Sequence, residues 1–348
     1  MDYKKLGNSL LDVSIIGLGT MTWGEQNSQQ EAFEQMDYAL SQGINLFDAA
    51  EMYPVPPRPE TAGRTESYIG NWLADRDCRS DIVLATKVVG RSDNLSGAGH
   101  IRGGSRLNRD HIRRAVGGSL ERLRTDTIDL YQVHWPERDT NFFGQRGYRH
   151  NPDGDGIAIA DTLEALGELV DEGVIAHIGI SNETSWGLME YLRLSEQRDL
   201  PRVVSVQNAY SLLTRQYEVG MAEMGLRESV GLLAYSPLAF GVLSGKYLND
   251  QLPDNSRLAL FKRFSRYTGQ LSVSATGAYA EVAARHNITL TQMALAFVCQ
   301  QPFVGSCLIG ATSMAQLVEN IASHSCELSP ELIADIEDVA ALHPDPAA

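Results

Sequence analysis

Short apolar runs alternate with amphipathic helical windows along the whole chain, and this alternation constrains the fold more than any other feature. The runs are Ile15 to Gly17, Asn45 to Asp48, Ile82 to Lys87, Ile128 to His134, Val174 to Gly179, Val203 to Val206, Leu232 to Tyr235 and Ser306 to Ile309. Helical periodicity falls near 29–42, 65–75, 109–123, 161–172, 185–198, 217–229, 273–286 with 291–300, and 313–324. A strand that returns to its sheet through a helix runs parallel to its neighbour, so the alternation predicts a parallel sheet. Eight such units close most economically into an α/β barrel of the (β/α)8 type. The rival is an open doubly wound sheet, which expects a Gly-x-Gly-x-x-Gly turn after its first strand. Gly17-Leu18-Gly19-Thr20-Met21 supplies only the first two glycines. Before the first barrel strand, Tyr3 to Leu6 and Leu11 to Ser14, split by Gly7-Asn8-Ser9, predict a hairpin capping the barrel bottom. No composition shift or linker divides residues 1–348, which reads as one domain.

The ends of the early strands carry the chemistry. Asn45 to Asp48 leads five residues on to Tyr53, the third run ends in Lys87 and the fourth in His134. In a parallel barrel these side chains share the C-terminal rim, where barrel enzymes gather their catalytic groups. Reducing a carbonyl needs a proton for the developing alkoxide, and tyrosine, with an ordinary pKa of about 10, donates one more readily when an ammonium stabilises its phenolate. Lys87 fits that role, with Asp48 holding it charged and His134 bonding the carbonyl oxygen or the Tyr53 hydroxyl. Singly, a strand-end Asp caps a loop, a Lys is solvated, and a His or Tyr is core. Their joint placement at consecutive strand ends favours the catalytic reading.

Later strand ends suit a cofactor. Ser181 and Asn182, Gln207, and Tyr235-Ser236-Pro237-Leu238 offer amides, a hydroxyl and a flat ring to a carboxamide and its heterocycle, although Asn, Ser and Gln also cap helices. After the eighth strand, Gly310-Ala311-Thr312-Ser313 opens a helix carrying Gln316, Glu319 and Asn320, whose N-terminus favours a phosphate. Three long connections, 88–108, 135–160 and 236–272, follow strands and lie on the same face, as binding loops and lids do.

The formal charge of -15 argues against nucleic acid and anionic membranes as partners. The cysteines, Cys78, Cys299, Cys307 and Cys326, show no zinc-ligand spacing and read as reduced thiols. No metal site is expected. No apolar h-region follows Met1 to Leu6, and no window approaches a membrane span, so a cytoplasmic protein is the expectation. The sequence does not assign an oligomeric state.

Taken together, Phe47-Asp48-Ala49-Ala50-Glu51-Met52-Tyr53, Thr86-Lys87, Val133-His134-Trp135, Gly179-Ile180-Ser181-Asn182, Tyr235-Ser236-Pro237-Leu238 and Leu308-Ile309-Gly310-Ala311-Thr312 resemble the aldo-keto reductase superfamily over nearly the whole chain. The segment Ala50 to Thr61 is similar to the bacterial Tas-type subgroup, related to potassium-channel β subunits. The resemblance implies a TIM barrel that binds NADP(H) without a Rossmann domain, metal or flavin and reduces aldehydes or ketones. It makes Tyr53 the general acid, Lys87 and Asp48 its tuning pair and His134 the orienting group. It places the nicotinamide against Ser181, Asn182, Gln207 and Tyr235, the pyrophosphate along the loop Ser236-Pro237-Leu238-Ala239-Phe240-Gly241 beside Lys246, and the adenosine phosphate near Arg257, Thr312, Gln316 and Asn320. Thr20, Met21, Asp48, Gly310 and Glu319 complete the cofactor contacts it implies. Trp23 and Trp135, with Tyr53, are expected to line a pocket for an apolar carbonyl compound. Many members carry Lys and Arg at the positions of Gly310 and Gln316; this chain does not, and Arg257 with Gln316 is expected to grip the 2′-phosphate instead. Two rivals remain at this point. One is a cofactor-sensing regulatory subunit, against which the histidine at 134 counts; the other is a lyase or isomerase using Lys87 as a Schiff-base nucleophile.

Overall fold

The computed structural model describes residues 1–92 and 97–347; part of the expected 88–108 loop, residues 93–96, lies outside them. The chain opens with the hairpin β1 (Tyr3–Lys5) and β2 (Asp12–Ser14), antiparallel with Lys4 opposite Val13. Its turn presses on the barrel floor. A Cβ on Gly7, at φ +59°, would stand 2.2 Å from the Val204 carbonyl oxygen, so only glycine fits.

Barrel strands and helices then alternate: β3 (Ile16–Gly19), α1 (Gln29–Ser41), β4 (Leu46–Asp48), α2 (Arg64–Arg76), β5 (Val83–Val88), α3 (Arg109–Leu123), β6 (Ile128–Val133), α4 (Ile159–Asp171), β7 (Ile175–Ser181), α5 (Ser185–Arg198), β8 (Val203–Ala209), α6 (Tyr217–Glu228) and β9 (Gly231–Tyr235). After β9 come the short α7 (Arg257–Leu260), then α8 (Gln270–Arg285), α9 (Leu290–Cys299), β10 (Val304–Ile309) and α10 (Met314–Ala322). The eight strands pair in parallel in the order β10-β3-β4-β5-β6-β7-β8-β9, and β9 pairs β10 to close the barrel. Local signals match these starts: Ser28 with Glu31 and Thr289 with Gln292 form capping boxes, and Asn108 and Thr184 cap α3 and α5. The expected fold is therefore present. Two helices lie outside the expected windows: the one-turn α7, within the long 236–272 connection, and α11 (Pro330–Leu342), for which Ser329 as its cap and Pro330 in its first turn are a legible start signal.

The period of two along each strand layers the interior. Leu46, Val83, Ala85, Leu130, Val204, Leu233 and Leu308 form an apolar floor that Leu6 and Val13 of the hairpin plug from below. One step further along the same faces come Asp48, Lys87 and Gln132, and Gln207 joins them beyond the register shift between β7 and β8, so the polar groups form a layer at the C-terminal rim above a sealed apolar base.

Candidate active site

The cleft at the rim has a volume of about 1300 Å³, more than one small ligand needs and suited to a dinucleotide with a substrate. At its base lies Asp48. Lys87 Nζ donates to Asp48 Oδ2 at 2.6 Å and to the Ala49 carbonyl at 2.6 Å. Gln132 Nε2 and Gln207 Nε2 both donate to Asp48 Oδ1, at 3.0 and 2.9 Å. These donors occupy both carboxylate oxygens in place of solvent. Gln132 was not singled out from sequence. Its signal was there: a polar residue two positions before His134 on a strand points to the same side.

Tyr53 stands on the loop after β4, which is closed by hydrogen bonds from Tyr53 N to Ala50 O and from Gly63 N to Tyr53 O, each 3.0 Å. Glu51 on the same loop accepts from Val89 N at 2.6 Å and forms a buried ion pair with Arg102, whose second nitrogen donates to Glu51 Oε1 at 2.8 Å. This pair was also not foreseen. The Tyr53 ring meets His134 edge-on, 5.7 Å between centroids. Lys87 Nζ lies 5.1 Å from the Tyr53 ring centroid.

Lys87 is paired with Asp48, the arrangement expected of the tuning pair, and also donates to the Ala49 carbonyl. Burial, reinforced by the charge of Asp48 and opposed by Arg257, pushes the Tyr53 hydroxyl well above its ordinary range. Burial lowers the Lys87 pKa against the opposing pull of Asp48. Burial, with the nearby Lys87 charge, holds His134 far below the usual imidazole range. His134 is thus neutral. Its backbone is pinned, with His134 N donating to Val88 O at 2.9 Å and Asn182 Nδ2 donating to His134 O at 2.8 Å, while its buried Nδ1 has no hydrogen-bond partner among the described residues.

Opposite, Tyr235 donates to Asn182 Oδ1 at 2.6 Å, Ser181 Oγ donates to Gln207 O at 2.7 Å, and Asn182 takes a left-handed φ of 54° that turns its amide into the rim. Thr20, Met21, Ser181, Asn182, Gln207, Tyr235, Ser236, Pro237, Leu238, Gly241, Lys246, Arg257, Gly310, Thr312, Gln316, Glu319 and Asn320 all line the cleft with Asp48, Tyr53, His134 and Trp135. Three expected residues do not. Lys87 is completely buried beneath it, Ala239 is buried in the core, and Trp23 is fully buried with Nε1 donating to Gln35 Oε1 at 2.9 Å, too deep to touch a substrate.

The phosphate end fits an anion through side chains more than through a free helix terminus. Thr312 N and Oγ1 bond to Gln316 Oε1, and Ser313 caps α10, so part of that N-terminus is already satisfied. A Cβ on Gly241, at φ +90°, would come within 3.0 Å of Lys246 Nζ, so glycine leaves open the space beside that cation. Lys246 and Arg257 face the cleft with no carboxylate partner among the described residues, Arg257 stacking on Phe240 and Phe264 at 5.6 and 5.3 Å. The residues present would suit a nicotinamide dinucleotide, with amide and phenol groups at Asn182 and Tyr235 and cations at Lys246 and Arg257. No cluster of three His, Cys, Asp or Glu side chains able to hold a metal occurs among the described residues, and none of their helices is long and apolar enough to cross a membrane.

Comparison with known proteins gives the family. The chain is 52% identical over 347 residues to Protein tas of Escherichia coli, covering 100% of both chains. It is 33% identical to the uncharacterized oxidoreductase YrpG of Bacillus subtilis over 97% of this chain and 96% of that one. It is 30% identical to a probable voltage-gated potassium channel subunit beta of Oryza sativa, covering 99% and 98% of the two chains. Residues 15–341 match the model of the Aldo/keto reductase family, and the chain belongs to that family.

Proposed function

We propose that the protein reduces aldehydes or ketones to alcohols with NADPH, with Tyr53 as the proton donor, acting as one barrel domain on small molecules in the cytoplasm. The convergence of Tyr53, a neutral His134 and the buried Asp48–Lys87 pair on one rim carries this reading. NADPH, when bound, supplies the hydride. The chain does the rest. Tyr53, protonated at all ordinary pH, gives its proton to the oxygen that gains charge. Neutral His134 donates a hydrogen bond to that oxygen, stabilising charge that develops only in the transition state. Asp48, held by Lys87, Gln132 and Gln207, keeps the floor rigid under the Tyr53 ring. Arg257 and Lys246 favour the phosphate-bearing cofactor, and Gln316 and Asn320 receive its adenosine end.

NADPH oxidation measured at 340 nm on a panel of aldehydes tests the proposal. Turnover supports it, and cofactor binding without turnover favours the second reading, a cofactor-sensing regulatory subunit. That reading draws on the rice relative's name.

A further inference from the structure

The chain carries an excess of negative charge, yet its cleft is basic. Lys246, Arg257, Arg263 and Arg266 line it, against Asp48, Asp254 and Glu319. Asp48 is already taken by Lys87, and Glu319 accepts a hydrogen bond from Thr289. The cations are divided in space. Lys246 sits beside Gly241, and Arg257 is sandwiched by Phe240 and Phe264, at the end of the cleft assigned to the dinucleotide.

Arg263 faces elsewhere. Built on Gly97, a Cβ would have Pro57 at 3.2 Å and an Arg263 guanidinium nitrogen at 3.9 Å. This places the guanidinium beside Pro57 and Gly97, at the mouth of the cleft that Pro57, Ala98 and Arg263 line. Arg263 makes no hydrogen bond or ion pair with another described residue and is exposed. The wall beneath it is apolar: Met52, Val55, Ala98, Trp135 and Phe143 line the same cleft. Trp135 and Phe143 meet edge-on at 5.7 Å, a surface suited to a flat ring. A carbonyl compound seated at Tyr53 with its body on this wall would reach the mouth with its far end, where a guanidinium offers a bidentate match to a carboxylate.

We propose that the preferred substrates are aldehydes with a flat, apolar body and a carboxylate remote from the carbonyl, and that Arg263 selects them by pairing with that carboxylate. The proposal deepens the reductase reading and rests on it for the location of the carbonyl. Arg263 is a specificity-determining residue; it takes no part in proton or hydride transfer.

The test compares 4-formylbenzoate with benzaldehyde as substrates, in wild type, Arg263→Ala and Arg263→Lys. Benzoate and benzamide binding are followed in parallel by quenching of tryptophan fluorescence, to which Trp135 contributes. Wild type is expected to favour the carboxylated aldehyde in kcat/KM by about tenfold, the lower end of what a hydrogen-bonded charge contributes, because the site is solvated. Arg263→Ala should abolish that preference through KM while leaving benzaldehyde turnover unchanged. Arg263→Lys should retain part of it, and added salt should weaken it in wild type. Equal kcat/KM for the two aldehydes in wild type, or a preference that survives Arg263→Ala, overturns the proposal while leaving the reductase reading intact. Benzoate binding that depends on Arg263, with no turnover of either aldehyde, supports the anion subsite and overturns the reductase reading.

Discussion

Lys87 Nζ sits 2.6 Å from Asp48 Oδ2 with both side chains buried. The ammonium is thereby committed to the carboxylate, and it lies 5.1 Å from the centroid of the Tyr53 ring. Removing one partner of a buried pair leaves an uncompensated charge and costs about 3–5 kcal/mol, whereas replacing both with uncharged groups is often nearly neutral. Lys87→Met is therefore expected to lose stability of that order together with turnover. Adding Asp48→Asn should restore most of the stability and none of the activity. Urea denaturation and NADPH oxidation measured on the three variants check this, and a Lys87→Met protein as stable as wild type would contradict it.

Gln132 and Gln207 make the same hydrogen bond to Asp48 Oδ1, but only Gln207 reaches the cleft. Each bond to the charged oxygen contributes about 1.5–3 kcal/mol. Gln132→Leu should lower kcat by loosening Asp48 and leave the cofactor Kd within about twofold. Gln207→Leu should lower kcat and weaken cofactor binding together. Titration of cofactor fluorescence separates the two outcomes.

His134 is buried and neutral, its pKa held well below the ordinary value of 6.5 by burial and by Lys87. Below pH about 6.5 the unfolded chain takes up a proton that the folded chain refuses, so stability falls as pH falls. Above that pH the residue contributes nothing to the slope. His134→Gln should flatten the loss of stability between pH 6.5 and 5 while removing most turnover, as denaturant midpoints across that window would record. An unchanged slope would place the acid sensitivity elsewhere.

The Glu51–Arg102 pair ties the loop that carries Tyr53 to the end of β5, where Val89 N donates to Glu51 Oε1. Arg102→Ala should leave Glu51 buried with too few donors and cost about 3 kcal/mol. Hydrogen exchange at the Val89 amide should quicken while amides of the apolar floor keep their protection. Uniform protection across both would argue that the loop is held by its backbone bonds alone.

Much of this was legible in the sequence because a barrel strand ends where its polar residue begins. Asp48, Lys87 and His134 could be read from three run ends, and parallel pairing then brought them together without knowledge of any contact. What the sequence hid depends on distance across the barrel. Gln132 acts through Asp48, 84 positions away in the chain, and Glu51 meets Arg102 only because the loop after β5 folds back with Arg102 in a left-handed conformation at φ 51°. Trp23 misled for the opposite reason. As an aromatic residue it was expected to line the pocket, but its indole has a buried partner in Gln35 on α1 and is turned inward. The raised Tyr53 pKa has no signal in the sequence, because it depends on burial and on the charge of Asp48 within the folded site.

The central claim is that Tyr53 delivers the proton. Tyr53→Phe keeps the ring that packs on His134 and removes only the hydroxyl. At saturating NADPH and a fixed aldehyde concentration, the account predicts a fall in turnover of about 10²-fold or more with cofactor affinity unchanged. Turnover within a few fold of wild type in the Phe variant would contradict it.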